Sequence, residues 1–181
     1  MFFISEVEDY VRVDPRDLKE KTIEEAIKNA LLKQYEGKIN KQLGWVLSIL
    51  DILDKSEGYL GYNDGGIYYK VRFKVLTWKP ILKEVTLGII SNIVDFGAYV
   101  NIGPTDGLIH ISQIMDDIVD YSKDKVLAGR KTKKILKIED IVKAKIVGIS
   151  IKPIGTKINL TMRQAGLGKL QWLYEEKAQS E

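Results

Sequence analysis

Apolar positions along the chain fall into two rhythms. Residues 2–13 are apolar and β-branched enough for a strand, and Asp14-Pro15 ends it, because proline restricts both its own φ and the residue before it. From Ile23 the spacing becomes helical: Ile23, Ile27, Ala30, Leu31, Gln34 and Tyr35 recur on one mostly apolar face. Thr22 stands at the N-cap with Glu25 three residues on, the pattern of a capping box. The helix is expected to run to about Gln42, with Gly44 as its stop. Trp45 to Ile52 reads as a strand, Ser56-Glu57-Gly58 as a turn, and Asn63-Asp64-Gly65-Gly66 as a second turn, since Asn, Asp and Gly tolerate positive φ. Ile67 to Trp78 is a long strand, and Pro80 marks a boundary.

The second half is richer in short strands, expected near 84–94, 97–102, 107–111, 141–151 and 156–162. The stretch 115–137 is polar and interrupts them. Five short strands with one long connection between the third and fourth suit an OB-type barrel. A short helix over Leu170 to Tyr174 packs back on the barrel in this reading. The fold class is therefore α+β, with a β-α-β-β half followed by a five-stranded barrel.

Composition narrows the chemistry. The chain has no cysteine, which removes disulfides, thiolate zinc sites and cysteine nucleophiles together. His110 is the single histidine, so no second imidazole joins it in a metal site. No Gly-rich phosphate loop and no serine–histidine arrangement is present, and the chain is expected to be non-catalytic and to need no cofactor. No apolar run reaches the ~18–20 residues of a membrane span, and the acidic opening lacks a secretory n-region, so a cytoplasmic location and no membrane partner are expected. The net charge of +3 is mild, but residues 1–80 carry 13 basic and 13 acidic side chains, and residues 81–181 carry 15 and 12. The C-terminal half thus holds the whole excess and is the better place for an anionic partner.

Residues 88–114 read as strand, tight turn, strand, turn, strand. Phe96 and Tyr99 bracket Gly97-Ala98, with His110 on the third strand. Such rings can stack unpaired bases, because every base has a π-face. The bland alternative is that these rings fill the core. A turn between Phe96 and Tyr99 makes strand parity unreliable, and exposure is expected for at least one of the two. Arg130, Lys131, Lys133, Lys134 and Lys137 put five cations in eight positions, read either as a solvated loop or as phosphate contacts. Asp116, Asp117, Asp120 and Asp124 match no calcium loop and are expected in a polar connection.

Gly88, Asp95-Phe96-Gly97-Ala98-Tyr99-Val100 and Gly107-Leu108-Ile109-His110-Ile111-Ser112 resemble the RNA-binding domain first named in ribosomal protein S-one. Asp140 to Lys145 resembles its fourth strand and Lys157 to Thr161 its fifth. The resemblance implies that Phe96, Tyr99 and His110 face RNA, joined by a basic residue at Lys157. Ser150 stands where many members carry an aspartate. The C-terminal run Leu160-Thr161-Met162-Arg163-Gln164, then Leu167-Gly168-Lys169-Leu170-Gln171-Trp172, together with the β-α-β-β half, is similar to the large stalk subunit of archaeal RNA polymerase, which has eukaryotic counterparts.

That second resemblance implies an N-terminal, truncated RNP-like polymerase-docking domain over 1–80 and an OB-fold RNA-binding domain over 81–181. It implies a heterodimer with a small helical stalk subunit, docked on the polymerase core through Asn63, Asp64, Gly65 and Gly66. It also implies binding of nascent single-stranded RNA through Phe96, Tyr99, His110 and Lys157, and contact with general transcription factors; Arg130, Lys131, Lys133 and Lys134 join the RNA-binding set where the basic run is read as phosphate contacts. The alternative is an RNA-binding adaptor of another assembly, such as an exosome cap or a ribosome-associated factor.

Overall fold

A computed structural model describes residues 1–40, 42–62, 64–152 and 155–178, and divides the chain into two compact units, Met1–Lys79 and Pro80–Glu181. In the first unit, strands β1 (Phe2–Val13), β2 (Gly44–Lys55) and β3 (Ile67–Trp78) form an antiparallel sheet with β3 in the middle. Two-residue strands at Ile39–Asn40 and Tyr59–Leu60 extend it. Along β3, Tyr69, Val71, Phe73 and Val75 alternate inward, as a half-buried strand demands. The helix α1 (Ile23–Tyr35) lays Ala26, Ile27 and Leu31 on that face, and Phe73 is fully enclosed between them.

The capping box at the start of α1 is formed on both sides: Glu25 N–H donates to Thr22 Oγ1 at 3.3 Å, and Thr22 N–H donates to a Glu25 carboxylate oxygen at 3.0 Å. The end of α1 departs from expectation. The helix stops at Tyr35, seven residues before Gln42, because Glu36 is extended and Gly37 takes φ +71. Gly37 N–H then donates to Val46 O and Val46 N–H to Lys38 O, so the chain is already paired to the head of β2. Gly44 is not the helix stop. It turns the chain into β2 at φ +81, where a β-carbon would meet Trp78 O at 2.5 Å.

In the second unit, β4 (Val85–Val94), β5 (Gly97–Asn101), β6 (Asp106–His110), β9 (Ile141–Lys152) and β10 (Gly155–Thr161) close into a five-stranded barrel. Only the β6–β10 contact is parallel. Ile90, Ile93, Val100, Ile109, Ile146 and Leu160 fill its interior. Ile90 and Ile93 are an odd number of residues apart yet both point inward. A bulge between Ile90 and Asn92 makes this possible by inserting one residue into the ladder.

The connection from 111 to 140 is more than a polar loop. Strands β7 (Val119–Ser122) and β8 (Val126–Gly129), with Ile135–Leu136, make a separate three-stranded sheet. It buries Leu127 and Leu136. Its polar hinge is Asp117, whose carboxylate accepts from Lys131 N–H and Thr132 N–H at 2.8 Å each and from the Thr132 hydroxyl at 2.9 Å. Those donors, with Thr132 N–H foremost, hold Asp117 below the usual carboxylate range. The C-terminal helix α2 (Leu170–Ala178) buries Trp172, which carries the Lys134 ammonium 5.4 Å from its ring centroid.

Candidate nucleic-acid interface

Alternation decides which side chains leave the barrel. Ala98 and Val100 on β5 and Gly107 and Ile109 on β6 are buried, so Tyr99, Leu108 and His110 point outward. Residues opposed across a ladder share a face. Asn92 pairs with Tyr99, Tyr99 with Leu108, and Leu108 with Asn159, which gives one continuous outward row across four strands.

The aromatic end of this face is built around Gly97. It pairs with His110, and a β-carbon at Gly97 would lie 2.2 Å from Ile109 O and 3.1 Å from His110 Cα. No side chain larger than hydrogen fits between the strands there. Ile111 N–H donates to Phe96 O at 2.9 Å and ties the loop after His110 to the β4–β5 turn. Phe96 is 46% exposed, and its ring meets Tyr99 edge to face, centroids 6.4 Å apart at 83°. At least one of the two rings was expected outside. Phe96 is exposed and Tyr99 half-buried on the outer wall, so neither is a core residue.

His110 is exposed and oriented from behind. The Ser112 backbone N–H donates to His110 Nδ1 at 3.3 Å, and Ser112 Oγ lies 2.9 Å from the same nitrogen. A backbone amide can only donate, so Nδ1 accepts, and a neutral ring carries its proton on Nε2. Lys157 is exposed at the other end of the face. It lies two residues before Asn159, and His110 two after Leu108. With β6 and β10 parallel, four residues or roughly 13 Å along the strands separate the cation from the imidazole. Ser150 pairs with Lys157 across β9–β10.

Two cations of the basic run are already matched by acids. Arg130 forms a two-point ion pair with Asp120, 2.6 and 2.8 Å, which pulls the Asp120 carboxyl down and the guanidinium up. Lys134 pairs with Glu176 at 2.6 Å. Lys131 and Lys137 are anchored by their backbone N–H groups to Asp117 and Asp140. Lys131 lines a shallow pocket with Ser112 and Arg163, while Lys133, Lys134 and Lys137 line one against α2. Asp116 pairs with Arg163, so the acidic residues nearby are also engaged in ion pairs and turns. Among the described residues no group of three or more metal-ligating side chains converges.

In the first unit, Asn63 lies outside the described residues. Asp64 accepts from Arg12 Nε at 2.7 Å, the Tyr68 hydroxyl at 2.7 Å and Gly66 N–H at 3.0 Å. Arg12 foremost holds its carboxyl down at about 2. Gly65 sits at φ +64 with open space around it.

Residues 8–65 match the SHS2 domain found in the N terminus of Rpb7p/Rpc25p/MJ0397, and residues 79–152 match the S1 RNA binding domain. The DNA-directed RNA polymerase subunit Rpo7 of Saccharolobus shibatae is 38% identical over 180 residues, covering 98% of this chain and 99% of its own. The chain belongs to the Rpo7 family of RNA polymerase subunits. Rpo7 of Sulfolobus acidocaldarius is 37% identical over 99% of both chains. The RNA polymerase III subunit RPC8 of Saccharomyces cerevisiae is 36% identical over 50% of this chain and 42% of its own. The two domain matches run in the order expected for the stalk-subunit resemblance.

Sequence reading missed Asn92, Leu108 and Asn159 on this face. Parity with His110 and with Lys157 would have found the last two. Asn92 was hidden by the bulge.

Proposed function

We propose that the chain is the non-catalytic stalk subunit of a DNA-directed RNA polymerase and carries nascent single-stranded RNA across the outer face of its barrel. The observation that carries this reading is the outward cluster of Phe96, Tyr99 and His110 on a wall that ends in Lys157. Stacking accepts any base, and lysine neutralises phosphate without reading sequence, so binding is general rather than sequence-specific. His110 Nε2–H adds a directed donor. Each stacked base contributes about 1–3 kcal/mol, so Phe96→Ala with Tyr99→Ala should weaken binding to all single strands by a similar factor. Fluorescence anisotropy with oligo-U and oligo-A tests this. Unchanged affinity in the double variant contradicts it.

The N-terminal unit docks the subunit in this reading, with the Asp64–Gly66 turn at the polymerase core and a small helical subunit completing the stalk. The turn suits that role because Arg12 and Tyr68 fix its shape while Gly65 stays open. Copurification of core polymerase with the wild-type chain, lost when residues 64–66 are replaced by a two-residue turn, is the test. The adaptor reading is disfavoured by the identity to polymerase subunits along the whole chain.

A further inference from the structure

Three residues, Lys123, Asp124 and Lys125, link β7 to β8. Lys125 N–H closes the turn on Ser122 O at 3.0 Å, and Asp124 N–H reaches Ser122 Oγ at 3.4 Å. Lys125 sits at φ +56, the left-handed position that three-residue hairpins normally give to glycine. A β-carbon is disfavoured there, so a lysine held in this geometry calls for a reason in its side chain.

The side chain supplies one. Lys125 Nζ donates to Asn92 Oδ1 at 3.2 Å. Asn92 is the outward residue of β4 that opposes Tyr99. The hairpin inserted between the third and fourth barrel strands therefore delivers an ammonium to the ring end of the barrel face. Its partner is a neutral amide. Arg130, Lys134, Arg163 and Lys169 are by contrast each paired with a carboxylate. Among the described residues no carboxylate neutralises Lys125.

We propose that Lys125 is a phosphate-binding residue of the RNA face. This rests on the RNA reading above and adds to it a route. Lys125 stands beside β4 and Lys157 on β10, three inter-strand steps or about 14 Å across the sheet, with Tyr99 between them. A polynucleotide crossing the strands meets a cation at each side and the Tyr99 ring between them. On binding, the ammonium exchanges its amide contact for a charge-assisted bond to phosphate.

The test uses the full-length chain and a single-stranded oligo-U across a salt series. Lys125→Gly relieves the left-handed position, so its urea midpoint stays level or rises. Its RNA affinity falls about five-fold at 0.1 M salt, and the slope of log K against log salt drops by about 0.7, the share of one phosphate contact on a single strand. Lys125→Gln keeps the β-carbon and loses only the charge, and it gives the same slope. Lys83→Gly is the matched control. Lys83 also has positive φ, at +70, and precedes the far end of β4 from Asn92, so the variant leaves affinity and slope unchanged. If both Lys125 variants bind with the wild-type slope while Phe96→Ala with Tyr99→Ala abolishes binding, this inference is wrong and the RNA reading stands. If none of these variants changes binding, both fall.

Discussion

Gly97 lies opposite His110 on neighbouring barrel strands, with Ile109 O only 2.2 Å from where a Gly97 β-carbon would stand. The imidazole and the Phe96 ring share one end of the face because the two backbones close up at this point. Gly97→Ala must push β5 and β6 apart. Overpacking of this kind costs about 1–3 kcal/mol, read as a lower urea midpoint with an unchanged m value. RNA affinity should fall with it, since the aromatic end is displaced.

Much of this was legible beforehand, and the exceptions have physical causes. The box of Thr22 and Glu25 is local chemistry within three residues, and β3 alternates cleanly, so both could be read from the chain. The end of α1 was misplaced because Gly37 already takes the left-handed position ahead of Gly44, and the competing pairing of Gly37 with Val46 is long-range. The sheet of β7 and β8 was invisible because its strands are four residues long and are tied by Asp117 to Thr132, fifteen positions away. In the candidate site, strand order brought out Phe96, Tyr99 and His110. The ion pairs of the basic run were not legible, since Arg130 and Lys134 find their acids ten and forty-two residues along the chain.

Those ion pairs divide the basic run. Arg130→Gln and Lys134→Gln remove charges already matched by Asp120 and Glu176, so each should leave the salt dependence of RNA binding nearly unchanged. Lys131→Gln with Lys133→Gln should lower the slope by up to about 1.4 if both lysines meet phosphates. Equal effects from the two pairs of variants would show that the ion pairs open on binding.

Acid should loosen the 64–66 turn. Arg12, then Tyr68 and Gly66 N–H, hold the folded Asp64 carboxyl at about 2, below its ordinary 3.8. A depressed carboxylate contributes stability that is full above its unfolded value and fades as pH falls through its folded one. The contribution of Asp64 should therefore disappear between about pH 4 and pH 2, and Asp64→Asn should flatten that part of the acid unfolding curve.

Helix α1 rests on its first turn. Thr22→Ala removes the acceptor for Glu25 N–H and should cost about 1 kcal/mol in chemical denaturation. Thr22→Ser keeps the oxygen and should be nearly neutral. If the alanine variant is also neutral, packing by Ile27 and Leu31 alone holds the helix.

The outward rings can be watched directly during binding. The isotope-labelled full-length chain would be titrated with a short single-stranded RNA while the aromatic proton resonances of Phe96, Tyr99 and His110 are followed by NMR. The expected result is large shifts on these three rings, with Tyr35 and Phe73 of the first unit unmoved. RNA binding that leaves all three rings unshifted would contradict a stacking role for the barrel face.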